Sequence, residues 1–258
     1  MSNKTILIIA IVAILVGAGA WYYYRTPGAI TIDTSQLGTQ TSSTTLRGPG
    51  YTIEQVAIED FKTSLPNLDR EIKFTASVPE EYRATVRKHV AEDVAILKKD
   101  PVNAGAWLDL ALWYHTANDY EGARDVWEFM VKAAPKDTTS YDNLGKLYHF
   151  DLKDFAKSEE YFKKSISINP QSTTPYTELF QLYTLSLKNE TKAVAIIREA
   201  EKQFPTEPGF PYTLGVHYRD IGNSKAARVE FEKALALARA AGNMGLVGSI
   251  GEDLTKLP

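Results

Sequence analysis

The sequence predicts an all-α protein built as an array of repeated helix pairs. Four prolines, Pro101, Pro135, Pro170 and Pro205, fall 34, 35 and 35 residues apart. The stretches that precede the later three repeat one order of large, small and aromatic residues, and self-similarity at such a period marks stacked helical units. From Pro79 onward apolar residues recur at helical rather than alternating spacing.

Ahead of the array lies an apolar run. Residues 5–24 read TILIIAIVAILVGAGAWYYY, with Lys4 before and Arg25 after. Twenty helical residues rise roughly 30 Å, the thickness of bilayer hydrocarbon. Trp21 and the three tyrosines sit where aromatic rings meet headgroups. The run therefore predicts a transmembrane signal-anchor helix. The competing reading is a cleaved signal peptide ending near Ala18-Gly19-Ala20; cleavage there would leave Trp-Tyr-Tyr-Tyr as an exposed N-terminus. With Lys4 and the α-amine on one flank and only Arg25 close on the other, the positive-inside rule places the N-terminus inside and the large domain outside the cytoplasm.

Residues 25–50 follow, and positions 26–50 hold ten Ser/Thr and four Gly. Such a composition buries too little to offset ordering entropy, so a flexible linker is expected, spanning roughly 25–30 Å. Residues 51–78 are mixed. Ile53 to Phe61 has helical apolar spacing, and Leu68 to Ala76 reads as extended after Pro66; together they predict a strap on the first helices.

The helical domain covers 79–258. Pro79 with Glu80 and Glu81 suits a helix start. Tyr82, Val86, Val90, Val94 and Leu97 form its apolar stripe, and Lys98-Lys99-Asp100-Pro101 closes it. The first repeat then carries Trp107, Leu110, Ala111, Tyr114, Ala123, Trp127 and Pro135. The second has Tyr141, Leu144, Gly145, Tyr148, Ser158, Phe162 and Pro170. The third has Tyr176, Leu179, Phe180, Tyr183, Ala193, Ile197, Ala200 and Pro205, and the fourth Leu214, Gly215, Tyr218, Ala227, Phe231 and Ala234.

These four units resemble tetratricopeptide repeats, whose pattern is a large residue, Leu-Gly, Tyr, then Ala, Phe, Ala and Pro. The resemblance covers about 101–241 and implies a right-handed α-solenoid of about four helix pairs. Repeats two and three each need one extra residue, which the alignment puts in the inter-helix loop near Asp151–Asp154 and Leu187–Thr191. Phe180 occupies a position that is small elsewhere, so a wider helix separation or a smaller neighbour is expected there. Pro211 replaces the large residue of repeat four. Asp119 and Asp154 stand where a side chain can cap the second helix. Met244, Val247, Ile250, Leu254 and Leu257 mark a capping helix with a polar outer face, which the end of an array needs.

Composition excludes several functions. There are no cysteines, hence no disulfide, thiolate metal site or cysteine nucleophile. From residue 51 on, 26 basic residues face 31 acidic ones with no basic cluster, which argues against nucleic acid. No phosphate-cradling glycine loop or Gly-x-Ser-x-Gly is present, so no enzyme, cofactor or metal is expected. His115 and His149 fall at equivalent positions of repeats one and two, but no third ligand accompanies them.

The resemblance also implies a binding face. In the family, positions 5, 9 and 12 of each first helix line a concave groove. Here they are Leu108, Leu112 and His115; Asp142, Lys146 and His149; Thr177, Gln181 and Thr184; and Tyr212, Val216 and Arg219. The family's clamp for a C-terminal carboxylate matches only at Asn143; Leu108, Thr174 and Glu178 stand where its basic residues belong. The expected ligand is a protein or peptide segment with an apolar anchor. A membrane-tethered scaffold or adaptor follows. A structural subunit of an envelope complex, or a homo-oligomer, assembling through the strap or the second-helix side is the alternative.

Overall fold

The computed structural model describes residues 65–258, together with two short strands at 45–48 and 51–54. The apolar run 5–24 and most of the expected linker lie outside the described residues. Among the described residues no helix is long and apolar enough to cross a membrane.

The strands β1 (Thr45–Gly48) and β2 (Tyr51–Glu54) pair antiparallel, with Leu46 opposite Ile53 and Gly48 opposite Tyr51. This departs from the sequence reading twice: the hairpin begins inside the segment expected to be linker, and Ile53 lies in a strand rather than at the start of a helix. The sequence between the strands is Pro49-Gly50, a turn signal that the helical-spacing argument passed over.

The array itself is all-α, and the chain divides into two units between Lys153 and Asp154. The first holds α1 (Glu80–Lys99), α2 (Ala104–Thr116), α3 (Tyr120–Ala133) and α4 (Thr139–Lys146). The second holds α5 (Phe155–Ile168), α6 (Thr174–Gln181), α7 (Glu190–Gln203), α8 (Gly209–Asp220), α9 (Ser224–Ala240) and α10 (Met244–Thr255).

The turns show why the helices stop where they do. Asn118, Lys153, Lys188, Gly222 and Gly242 each adopt a left-handed conformation, φ between 50° and 80°. The next residue in every case is Asp119, Asp154, Asn189, Asn223 or Asn243, whose side chain accepts a hydrogen bond from the backbone three residues on. A left-handed residue followed by an Asx cap satisfies an orphan amide of the following helix.

The large residue opening each first helix has a second task. Trp107 Nε1 donates to the Pro101 carbonyl at 2.8 Å, Tyr141 Oη to that of Pro135 at 3.4 Å, and Tyr176 Oη to that of Pro170 at 3.3 Å. Proline ends the preceding helix, and the ring six residues on satisfies its carbonyl while filling the seam. Repeat four, with Pro211, lacks that ring; Phe210 is buried instead and meets Phe204 at 5.6 Å between centroids.

The extra residue of repeats two and three is not in the loop, where the alignment put it. It is absorbed at the end of the first helix, as π turns at Leu147–Asp151 and Leu182–Ser186. Leu152 N bonds to Leu147 O at 2.9 Å, and Leu187 N to Leu182 O at 3.0 Å. Widening the helix there keeps Tyr148 and Tyr183 buried and swings Phe150 and Leu185 outward, to 44% and 59% exposed.

The core follows the repeat. In the second unit, Tyr176, Leu179, Tyr183, Ile197 and Leu214 form one cluster, and Ala227, Phe231, Ala234 and Ile250 another. Phe180 packs at the edge of the first cluster and meets His217 edge-on at 5.5 Å. That cluster includes Ile197, a smaller residue at the position that holds Trp127, Phe162 and Phe231 in the other repeats. In repeat four the volumes are reversed: a Cβ on Gly215 would overlap the Phe231 ring, lying 2.6 Å from Cε1 and 3.0 Å from Cγ. Gly215→Ala therefore destabilises the protein by about 1 kcal/mol, because overpacking outweighs the gain in helix propensity. Chemical denaturation checks the sign; a stabilised variant would contradict it.

One position on α1 departs from its stripe. Val86, Val90, Asp93 and Leu97 are buried, while Tyr82 is 38% exposed and Val94 is half-buried. The buried face advances by 4, 3 and 4 residues and so takes in a carboxylate.

Candidate binding surfaces

In the first unit the expected lining residues lie on α2 and α4. Leu108, Leu112 and His115 are half-buried in a row on α2, whose opposite side buries Trp107, Leu110, Ala111 and Tyr114. His115 Nε2 lies 3.0 Å from Asp151 Oδ2, and its ring is 5.6 Å from Tyr120 and 5.9 Å from Trp127. Beside this row, His89 of α1 stacks on Trp113 at 4.3 Å and 5°.

On α4, Asp142 and Lys146 are half-buried. His149 is 2% exposed, so it does not line an open face as the helical register implied. The π turn starting two residues before it changes the register. Burial, and then the Lys153 cation, hold its imidazole below the usual histidine range.

In the second unit, Gln181 is exposed, while Thr177 and Thr184 turn their hydroxyls onto the Thr174 and Phe180 carbonyls at 2.8 Å. The α8 trio is engaged by α10. Tyr212 Oη donates to Asp253 Oδ2 at 3.0 Å, Arg219 Nη1 donates to Asp253 Oδ1 at 2.6 Å, and Val216 packs among the residues under α10. Nothing in the sequence pattern pointed to Asp253, which reads as polarity on the outer face of a cap.

The strap holds a site that the sequence did not disclose. Residues 65–79 are non-helical and run onto the α2–α3 turn. Arg70 Nη1 and Nη2 donate to the two carboxylate oxygens of Asp119 at 2.8 and 3.1 Å, and Lys73 N donates to Oδ2 at 3.0 Å. The same carboxylate caps α3 through Gly122 N at 3.1 Å and is fully enclosed. The Arg70 guanidinium lies 4.8 Å above the Tyr114 ring. Asn118 Nδ2 reaches Thr75 Oγ1 and Ser77 Oγ, and Phe74 is covered by Arg83 and Arg87. A cavity of about 330 Å³ remains beneath, between Leu68 and Arg70 of the strap and Leu110, Tyr114, Val126 and Phe129.

The tetratricopeptide repeat model matches residues 138–172. No curated protein matches the chain. Among solved structures, that of MamA is 19% identical with a TM-score of 0.50, covering 67% of this chain and 99% of that one. TTC0263, a thermophilic TPR protein of Thermus thermophilus, is 19% identical with a TM-score of 0.46, over 68% and 94% of the two chains. YrrB, described as a TPR protein with an unusual peptide-binding site, is 12% identical with a TM-score of 0.44, over 64% and 91%. The matched repeat and the likeness to MamA establish a tetratricopeptide-type helical repeat fold.

Proposed function

We propose that the chain is a scaffold, without catalytic chemistry of its own, that holds a segment of a partner protein on the face presented by α2 and α4. One observation carries this. α2 is apolar on both sides: its core side is buried, and Leu108 and Leu112 remain half-exposed on the other. A helix apolar all round is normally enclosed, so a half-open apolar row marks a surface that another chain covers. Asp142, Lys146 and His115 flank that row with polar groups able to fix the orientation of a peptide. The apolar run at 5–24 supports tethering to a membrane with the array outside the cytoplasm, where several copies would bind by avidity.

Capture of partners by the full chain, beside Leu112→Asp/Lys146→Glu, tests the reading. Capture falls at least tenfold in the variant while helicity is unchanged; capture at full strength would sink it. The alternative, a structural subunit of an envelope complex assembling through the strap or the second helices, draws on Val229 of α9, 57% exposed, and Ile96 of α1, 43% exposed. A concentration-independent dimer of residues 51–258 would favour that reading.

A further inference from the structure

Tyr212, Val216 and Arg219 occupy the positions that the repeat resemblance assigns to the ligand face; in this chain α10 engages Tyr212 and Arg219, and Val216 packs against the cluster that α9 and α10 share. α10 meets them with a single carboxylate, Asp253, 7% exposed and set between the buried Ile250 of the helix and Leu257, buried just past its end. The contact has the form of helix recognition: one carboxylate held by a phenol and a guanidinium of α8, with apolar anchors three residues before and four after that cluster with Ala227, Phe231, Ala234 and Ala238 of α9.

The helix that makes this contact is weak. Gly245, Gly248 and Gly251 all fall inside α10. Among the described residues, nothing lies within 4 Å of a Cβ added at Gly248 or Gly251, and only Asn243 Oδ1, at 3.8 Å, near one at Gly245. No close packing requires these glycines, in contrast to Gly215 and Gly122. Each lowers the helical equilibrium roughly fivefold against alanine. Met244 at the start of α10 is 71% exposed. A helix built only to close an array has no use for three unneeded glycines. A helix that must leave does.

We propose that α10 is a displaceable internal ligand of the α8 face, and that this face receives from a partner an amphipathic helix with one carboxylate between apolar residues. When α10 leaves, Arg219 keeps Asp220 as a partner at 2.8 Å but loses Asp253, and Tyr212 loses its acceptor. A cation and a hydroxyl then stand beside Val216, a receptor for an incoming acidic helix. The site is on α8, so it is tested separately from the α2 face.

The test uses the full chain in detergent micelles and a labelled peptide of residues 243–258. Amide exchange comes first: α10 exchanges at least 100-fold faster than α8, and Gly248→Ala/Gly251→Ala slows α10 about 25-fold without changing α8. Peptide binding comes second: the Asp253→Arg chain, whose own helix is repelled, binds the peptide at least tenfold more tightly than the unmodified chain. A peptide with asparagine in place of Asp253 loses about tenfold. Exchange of α10 in step with α8 would overturn the proposal, and that arm needs no disruptive variant. Absence of any gain in peptide binding by a folded Asp253→Arg chain would overturn it as well.

Discussion

Gly122→Ala lowers the stability of the protein by about 1–3 kcal/mol, although alanine is the better helix former by about 1 kcal/mol. The added Cβ overlaps Arg70 Nη1 and lies 2.9 Å from Cζ and 3.0 Å from Tyr114 Cγ. Arginine is flexible, but this one cannot yield freely. Both its terminal nitrogens are committed to Asp119, whose side chain is fully enclosed. Moving the guanidinium breaks a bidentate, charge-assisted pair and leaves a buried carboxylate with only backbone donors, which costs more than the bond itself is worth. Arg70→Ala alone costs about 2–4 kcal/mol for the same reason. In the Arg70→Ala background the main obstacle is gone, so Gly122→Ala becomes neutral or slightly stabilising. Denaturant unfolding of the four proteins gives the coupling, expected at about 1–3 kcal/mol. Additive effects would show that the strap is not held through this pair.

The strap bond illustrates what the sequence could not reveal. Helices, turns and packing stripes recur with the repeat, so each was reported several times over in local spacing: the proline followed by a ring six residues later, the small residue opposite an aromatic, the aspartate before a second helix. Arg70 and Asp119 are 49 residues apart and occur once. No periodicity connects them, and an aspartate already accounted for as a cap gave no reason to seek a second partner.

The exposure of the expected lining residues was legible only where the helical register ran undisturbed. Leu108 and Leu112 are half-exposed side by side. His149 is buried because a π turn begins at Leu147, and an inserted residue looks the same in sequence whether it widens a helix or lengthens a loop. Tyr212 and Arg219 lie on the side of α8 that meets Asp253, a contact that the repeat pattern does not disclose. Asp253 belongs to a helix whose own pattern makes it look like outward polarity.

Asp93→Asn stabilises the protein at pH 8 by about 2–3 kcal/mol and leaves it nearly unchanged at pH 4. Asp93 stands in the buried stripe of α1, 9% exposed, with Oδ2 enclosed and without a hydrogen-bond partner among the described residues. Burial first, then the carboxylates of Asp109 on α2 and Glu92 beside it, raise its pKa from 3.8 to about 7. A raised acid binds its proton more tightly in the folded state than in the unfolded one. Between about pH 4 and 7 the folded chain therefore holds a proton that the unfolded chain has released, and stability falls as pH rises through that window. Above pH 7 both states are ionised and the loss is complete. Three pKa units set an upper limit of about 4 kcal/mol, and partial access of water to α1 brings the expected value below it. Asparagine keeps the shape and cannot ionise, so thermal unfolding of the variant loses this part of the pH slope, and its midpoint at pH 8 rises by about 5–10 °C. Asp109→Asn has the same sign and a smaller size, because burial is the larger cause. Parallel slopes for the unmodified protein and Asp93→Asn between pH 5 and 8 would mean that Asp93 stays ionised against α2, and that α1 docks by packing alone.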